Sequence, residues 1–353
     1  MPRCVTGTAL ASGRSEALTP QWLEQQLRAA GAEKGAALAM AISGGSDSMA
    51  LAVLAARLPG PPVTALVVDH ALRPESAAEA RQVAAWLDVL GLQQQVLTLE
   101  WPHGLPTAAK VQEAAREARY DALAGVCHAR GLTALLTAHH WDDQAELLLM
   151  RLSRASGLAG LAGMAPSSQR VLAGRPLRLV RPLLGATKAQ LRQVCCAAGQ
   201  AWVEDPSNAM PVYLRNRVRA VLQDPHSGVS SSDVGAALAL CGHLKARLEE
   251  QTQAVLEHAT RTKREGRHVV DLASLAAAPP VVQAAVVQSI VHAVGPPRGG
   301  RPAKSRAVEA LLTYLAKGPR RAASFSVGRT EVQAYPEKGA AGRIVFTRRR
   351  SDE

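Results

Sequence analysis

The sequence predicts an α/β fold: a doubly wound parallel sheet, followed by a mostly helical region and a small basic α/β tail. Short apolar runs of strand length alternate with helical segments, and this alternation is typical of parallel sheets. A tight glycine turn joins the first of these runs directly to a helix. The predicted strands are residues 36–43, 63–69, 95–99 and 132–138.

The composition is that of a globular protein with more than one core. Of its 353 residues, 47% are hydrophobic and 20% are charged, and domains usually contain about 100–200 residues. Two polar stretches rich in chain-breaking residues, 223–232 and 295–302, predict the boundaries. The sequence therefore predicts three parts, at residues 19–222, 233–293 and 298–350.

The chain is basic, with a formal net charge of +12 and an isoelectric point near 10.0. Residues 298–353 contain 13 Lys and Arg but only 5 Asp and Glu. This excess favours a polyanionic partner, with a basic surface that only keeps the protein soluble as the simpler alternative. Aromatic residues make up 3% of the chain, which argues against a base-stacking sheet.

The cysteines and the hydropathy pattern favour a cytoplasmic protein that does not enter a membrane. The 5 cysteines form no C-x-x-C pair, so neither a zinc site nor a redox dithiol is indicated. No apolar run approaches the ~18 uncharged residues that a membrane span requires. Residues 1–18 lack a signal-peptide core and predict a short disordered lead, with an organelle transit peptide as the alternative.

Capping residues predict where several helices begin and end. Thr19 is an N-cap residue and Pro20 suits the first helical position, so a helix is expected to begin there. Helices are also expected over residues 112–130 and 188–198, the latter ending at Gly199.

The turn after the first strand has the features of a phosphate site. Two adjacent glycines turn the chain sharply, and the first N–H groups of the next helix point at whatever lies above the turn. The carboxylate of Asp47 suits a phosphate only when a cation such as Mg²⁺ lies between them. A magnesium nucleotide is therefore expected, although an ordinary capped helix start has similar residues. The loop consists of Ser43, Gly44, Gly45, Ser46, Asp47 and Ser48.

The loop after the second strand is expected to lie beside this turn. Ligands of doubly wound sheets collect beyond the carboxyl ends of the strands, and Asp69 and His70 end the second strand. We expect this loop to contact the adenosine part of the nucleotide, with simple exposure to solvent as the alternative.

Two groups of arginines favour anionic ligands. Arg116 and Arg119 lie off the apolar stripe of the helix over residues 112–130, where a solvated basic face is the simpler explanation. Arg215, Arg217 and Arg219 fall within one and a half turns. Such a cluster binds phosphates well, although pairing with Glu204 and Asp205 is an alternative.

An acidic helix start follows the fourth strand. It contains His139 and, in the first turns, Asp142, Asp143 and Glu146. The helix dipole alone favours acids there, and two functional interpretations compete: a metal site and an acidic pocket for an amine. No second histidine has the spacing of a zinc protease helix, so the amine pocket, with Mg²⁺ nearby, is favoured over zinc.

These motifs, in this order, resemble the tRNA(Ile)-lysidine synthase family. The glycine turn is similar to the pyrophosphate loop of the N-type ATP pyrophosphatases, and lacks the Lys-Ser or Lys-Thr of the P-loop in kinases and GTPases. Two positions depart from the family pattern: Leu147 stands where Thr is common, and Ala155 where Gly is common. Neither change removes a charge. The motifs that carry the resemblance are residues 43–48, 69–76, 112–120, 138–164, 181–184 and 204–219.

The resemblance implies an adenine nucleotide alpha-hydrolase-like fold and a specific reaction. ATP adenylates the C2 oxygen of the wobble cytidine in the CAU anticodon of tRNA(Ile), and free lysine then displaces AMP to give lysidine. It implies Asp47 as the magnesium ligand. Further roles implied are proton transfer or lysine binding by His139, Asp142, Asp143 and Glu146, an anion contact by Arg116 or Arg119, and tRNA binding by Arg215, Arg217, Arg219 and the basic tail.

Other functions remain open at this point. A tRNA 2-thiolase shares the nucleotide domain but needs paired cysteines, which the adjacent Cys195 and Cys196 do not supply. A glutamine-fed synthetase is disfavoured because nothing that resembles a glutaminase precedes the loop. A nucleotide-binding protein that only binds RNA is the alternative from another class. The sequence leaves the oligomeric state open, with a homodimer as one option.

Overall fold

The computed structural model describes residues 17–32, 35–60, 63–101, 104, 111–154, 156–204, 214–224, 226–295, 305–317, 321–327, 329–335 and 342–349. Two compact units make up the chain, Met1–Leu238 and Ala239–Glu353. The division into three parts at 19–222, 233–293 and 298–350 stays a prediction. Among the described helices, none combines the length and apolar content needed to cross a bilayer.

The first unit is built on a sheet whose strands alternate with helices, which confirms the predicted fold class. Its elements are α1 (Pro20–Ala29), β1 (Leu38–Ile42), α2 (Ser46–Ala55), β2 (Thr64–Asp69), α3 (Ser76–Val89), β3 (Gln94–Thr98), α4 (Val111–Ala129), β4 (Ala134–Leu136), α5 (Trp141–Leu152), α6 (Leu158–Leu161), β5 (Ser167–Leu172), β6 (Arg175–Val180), α7 (Lys188–Ala197) and α8 (Leu214–Gln223). α9 (Ser231–Ala259) runs across the boundary between the units. At the start of α1, the N–H of Trp22 donates to Thr19 Oγ1 over 3.1 Å, as the N-cap prediction requires.

The order of the strands creates a crevice above the sheet. The order is β3-β2-β1-β4-β6-β5, with β5 antiparallel at the edge and the other neighbours parallel. The chain moves outward from β1 in one direction and from β4 in the other. The two loops that leave the adjacent strands β1 and β4 therefore diverge, and such a switch point is where doubly wound sheets bind ligands.

Alternate strand residues bury two separate cores on the two faces of the sheet. Met40, Val67 and Leu136 pack in one core with residues of α1, α2, α3 and α7. Their neighbours Ala39, Leu66 and Leu135 pack in the other core with α4. A strand buried on both faces has no polar alternation, which is why β1, β2 and β4 lie in continuous apolar runs.

The second unit has its own sheet and its own core. Its elements are β7 (Thr260–Arg264), β8 (Arg267–Asp271), α10 (Leu272–Ala277), α11 (Pro280–Val294), α12 (Ser305–Ala316), β9 (Ala323–Val327), β10 (Thr330–Tyr335) and β11 (Arg343–Arg348). The antiparallel sheet has the order β7-β8-β11-β10-β9. One core contains residues from Val270 on β8 to Phe346 on β11. The hairpin of β7 and β8 lies in a stretch predicted to be mostly helical.

Candidate active site

The turn between β1 and α2 is fixed by one glycine. Gly44 has a φ of +82°, a conformation that favours glycine. A Cβ on it would lie 2.6 Å from Cγ2 of Val83 and 3.3 Å from Cγ2 of Val203. The backbone N–H of Val203 also donates to the Gly44 carbonyl over 2.8 Å. The turn is thus packed closely against α3 and the segment that follows α7.

The three serines of the turn have different surroundings. Ser48 is buried, its hydroxyl donates to the Gly45 carbonyl over 3.0 Å, and it accepts from the backbone N–H of Ser43 over 3.2 Å. Ser46 is also buried and donates to Oδ1 of Asp47 over 3.1 Å. Ser43 is exposed, and its hydroxyl lies 3.2 Å from Oγ of Ser48, so it is the serine of the turn that is most accessible to a ligand.

A buried histidine joins the turn to α5. The side chain of His140 is 4% exposed, and its Nε2 lies 3.4 Å from Oδ2 of Asp47 and 3.6 Å from Oδ2 of Asp143. On the other edge of the ring, Nδ1 lies 3.3 Å from Oδ2 of Asp142. Nζ of Lys188, at the first position of α7, lies 3.6 Å from the same Asp47 oxygen. Three carboxylates therefore surround one imidazole, and one of them, Asp47, also lies beside an ammonium group.

This charge cluster shifts the protonation of its members. Burial lowers the pKa of His140, but the hydrogen bonds and charges of Asp142, Asp47 and Asp143 outweigh it and raise that pKa to about 9. Burial raises the pKa of Asp47, and the contacts with His140 and Lys188 outweigh it, so the net shift is downward. Near neutral pH the ring is an imidazolium and Asp47 a carboxylate.

Backbone contacts fix the position of these side chains. The N–H of His140 donates to Oδ2 of Asp143 over 3.0 Å, which caps α5. The N–H of Lys188 donates to Oδ2 of Asp142 over 2.9 Å, and the N–H of Trp141 donates to the Ala186 carbonyl over 2.8 Å. The start of α5 is thereby attached to the start of α7.

A cavity of about 660 Å³ opens above the carboxyl ends of β1, β2 and β4. Its size suits a nucleotide, since ligand pockets commonly enclose about 300–1,000 Å³. The glycine turn forms one end of it, and α4 forms a side wall. The predicted site residues that line it are Ser43, Gly45, Asp47, Ser48, Asp69, His70, Arg119 and His139.

Asp69 and His70 shape the loop after β2. Oδ1 of the buried Asp69 accepts from the Ala71 N–H over 2.9 Å and from the Ser76 hydroxyl over 2.6 Å. Burial and the charge of Arg119 lower the pKa of His70, so its ring is neutral near pH 7. A neutral ring beside the cavity offers both a donor and an acceptor to a ligand.

Several predicted substrate residues lie elsewhere or pair with each other. Glu146 is buried, and its Oε1 accepts from Nε of Arg219 over 2.7 Å. Arg217 is exposed on α8. His139 lies by the cavity, with Nδ1 2.9 Å from Oγ1 of Thr137. The Arg215 side chain and all of Asp205 lie outside the described residues.

The sequence is similar to proteins of known family. The PP-loop domain family matches residues 19–225, more than half of the chain. A tRNA(Ile)-lysidine synthase of Methylobacterium sp. (strain 4-46) is 41% identical over 275 residues, which cover 75% of this chain and 76% of the relative. One of Bradyrhizobium sp. (strain BTAi1 / ATCC BAA-1182) is 36% identical over 322 residues, 87% of this chain and 86% of the relative.

The chain belongs to the tRNA(Ile)-lysidine synthase family. Among solved structures, the U34-tRNA thiolase NcsA from Methanococcus maripaludis is similar in fold, with a TM-score of 0.51 at 14% identity. The match covers 63% of this chain and 79% of that one. At this identity the likeness concerns the fold alone.

In this member of the lysidine synthase family, sequence reasoning missed two residues of the charge cluster. His140, which was not predicted, is the residue between the carboxylates, and the predicted role of His139 in proton transfer stays a prediction. The signal was weak, because two adjacent histidines at a strand end differ only in the side to which they point. Lys188 had a better signal: a cation at the first position of a helix opposes the dipole, which suggests a nearby anion.

Proposed function

We propose that this protein forms lysidine on tRNA(Ile) in the cytoplasm. It adenylates the C2 oxygen of the wobble cytidine in a CAU anticodon with ATP, and the ε-amine of free lysine then replaces AMP. The observation that carries the proposal is the glycine turn above the switch point, with Asp47 at its centre, in a chain that aligns over most of its length with named lysidine synthases.

The turn supports the first half of the reaction. A pyrimidine carbonyl oxygen is a poor leaving group, so it must become a phosphate ester before an amine can replace it. The N–H groups at the start of α2 and the exposed Ser43 hydroxyl face the space where the departing pyrophosphate carries its charge. Lys188 adds a positive charge 3.6 Å from Asp47.

Asp47 fits a magnesium ion by its chemistry. It is an oxygen ligand, its lowered pKa keeps it ionised, and it lines the cavity beside the turn. When bound, Mg²⁺ supplies charge neutralisation for the phosphates. The protein's own part is to hold the carboxylate in place through Ser46 and His140.

The exposure of the three acids of α5 separates their roles. The side chain of Asp142 is 45% exposed, against 11% for Asp143 and 2% for Glu146. Burial raises the pKa of Asp142, while His140 and the Lys188 N–H outweigh it and lower that pKa. Asp142 therefore suits an ammonium ligand, and its low basicity makes it a poor proton acceptor. His140 is already protonated, so we assign proton acceptance to His139, which lines the cavity.

The basic character of the chain supports RNA as the substrate. Arg217 is exposed, and the second unit carries exposed basic side chains at Lys263, Arg264 and Arg267. Binding of tRNA should weaken steeply with salt as these groups replace counterions on phosphates.

The test is lysine incorporation. Purified protein with MgATP, radiolabelled lysine and a tRNA(Ile) transcript bearing CAU should label the RNA, and mass spectrometry should place lysine on the wobble cytidine. Asp47→Asn should abolish labelling, whereas Asp88→Asn, an exposed acid on α3, should not. Sulfur instead of lysine at the anticodon, or tight RNA binding with no modified base, would contradict the proposal.

A further inference from the structure

Three arginines surround one tyrosine ring on the side wall of the cavity. The guanidinium carbons of Arg116 and Arg119 lie 5.2 and 5.3 Å from the ring centroid of Tyr120, and that of Arg170 lies 5.5 Å from it. The first two belong to α4 and the third to β5. Two elements far apart in sequence therefore bring their cations to the same point.

A fourth arginine completes the group. Nη1 of Arg181, which follows β6, donates to the Ala165 carbonyl over 2.8 Å and to the Ser168 hydroxyl over 3.1 Å. Its Nε is buried and has no hydrogen-bond partner among the described residues. Burial and the charges of Arg170 and Arg116 lower its pKa, although Tyr120 opposes that shift. We call Arg116, Arg119, Arg170 and Arg181 the arginine cluster.

Among the residues that the structure describes, no carboxylate pairs with the arginine cluster. Within the part of the chain that the structure describes, none of the four guanidinium groups lies within 4.0 Å of a carboxylate, whereas Arg219 and Arg261 elsewhere do. A cation–π contact with one ring offsets only part of the repulsion among the four charges. The arrangement is therefore expected to attract an anion from outside.

The fold holds the cluster in place. The hairpin of β5 and β6 is fastened to α4 by Oδ1 of Asp121, which accepts from the Ala173 N–H over 3.0 Å. The ring of His128 lies 3.3 Å from the Leu172 carbonyl at the same turn. Arg170 is thereby kept opposite α4 before any ligand binds, which lowers the cost of ordering it on binding.

We propose that the arginine cluster binds consecutive phosphates of the RNA backbone next to the nucleotide that enters the cavity. This inference rests on the proposed function for the identity of the RNA. Arg119 lines the cavity, whereas Arg116 and Arg170 are exposed outside it. The cluster thus extends from the cavity wall to the surface. This arrangement suits an RNA strand that has one nucleotide inside the cavity and the next nucleotide outside it.

The number of charges favours RNA over the smaller anions of the reaction. Four guanidinium groups carry more positive charge than the single carboxylate of lysine can neutralise. The proposed site of the triphosphate is the glycine turn. A polyanion supplies one charge per nucleotide along such a path, and arginine is the side chain best suited to phosphate contacts.

The experiment measures binding of the full-length protein to the CAU transcript from low to moderate salt, without ATP or lysine. Arg170→Ala and Arg116→Ala should each weaken binding about 5-fold and reduce the slope of log affinity against log salt by about 0.7–0.9, the value for one phosphate contact. Arg170→Lys should retain most of the slope. Arg175→Ala, an exposed arginine at the turn end of the same hairpin, is the matched control and should leave the slope unchanged.

The outcomes separate this inference from the proposed function. An unchanged salt slope in Arg170→Ala and Arg116→Ala would overturn it, and so would a raised KM for lysine or ATP with unaltered RNA binding. Circular dichroism of each variant identifies loss of folding, and in that event the charge-retaining Arg170→Lys and Arg116→Lys variants decide the question by the same slope. If the protein formed no lysidine but the arginine variants still lost the slope, RNA binding by the cluster would stand while the proposed function failed.

Discussion

Glu146 on α5 and Arg219 on α8 form an ion pair, with Nε of the partly exposed arginine 2.7 Å from Oε1 of the buried glutamate. Both residues were predicted to contact substrates, one lysine and the other tRNA. In the structure each neutralises the other, and the pair joins two helices that also share an apolar core through Leu148. Their predicted substrate roles stay predictions, and a role in stability is added.

We expect Arg219→Ala to destabilise the first unit. It removes a guanidinium that lies 2.7 Å from the Glu146 carboxylate, which is 2% exposed, and removing one partner of such a pair costs about 3 kcal/mol. Arg217→Ala on the exposed side of the same helix should change stability by less than about 0.5 kcal/mol. Urea unfolding measures both. Partial recovery in the double variant Arg219→Ala with Glu146→Gln is expected, and equal loss in Arg217→Ala and Arg219→Ala would contradict the account.

We expect the two glycines of the turn to differ sharply in their tolerance of alanine. Gly44→Ala introduces a Cβ at a φ of +82° and 2.6 Å from Val83, so it should cost at least about 2 kcal/mol of unfolding free energy. Gly45→Ala should cost less, because its φ is −70° and its Cβ would have 3.7 Å to the nearest atom. Thermal unfolding compares them, and similar melting temperatures would argue against the geometry of the turn.

The stabilising effect of His140 should depend on pH. The folded pKa is raised from 6.5 to about 9, so the ion pairs of its ring stabilise the protein fully below pH 6.5 and lose that effect as the pH rises through 9. Without divalent cations, the difference in unfolding free energy between the wild type and His140→Gln should shrink over this window. A difference that stays constant up to pH 9.5 would show that the ring is not charged.

Lys188→Met should slow the adenylation step. The variant removes a positive charge 3.6 Å from Asp47. Loss of a direct donor to a developing anion costs about 100–1,000-fold in rate, and we expect about 10-fold for Lys188 because it acts through Asp47. Arg192→Met, an exposed cation one turn further along α7, is the control. Single-turnover release of pyrophosphate measures the step, and equal rates in the two variants would remove Lys188 from the mechanism.

The sequence was sufficient to predict the elements that depend on interactions between neighbouring residues. The four apolar strands, the N-cap at Thr19 and the glycine turn follow from burial, capping and backbone conformation within a few residues, and the structure agrees with each. The position of the site, beyond the carboxyl ends of the strands, was predicted by the topological rule for parallel sheets.

The parts that sequence reasoning missed depend on contacts between distant segments. β5 contains Ser167, Gln169 and Arg170 and is an exposed edge strand, so it lacks the apolar run that marks a buried strand. Asp142, which lies beside His140, is held by the first residue of α7, 46 residues later. The pairing of Glu146 with Arg219 spans 73 residues. Contacts between such distant residues cannot be predicted from a local sequence pattern.

We expect this protein to transfer the adenylyl part of ATP to a nucleobase, which lysine then captures. The most direct test is the identity and ratio of the nucleotide products when MgATP, lysine and the CAU transcript are supplied together. AMP and pyrophosphate, each formed in equal amount to lysidine, are the predicted result. ADP and orthophosphate, or AMP formed without the transcript, would contradict it.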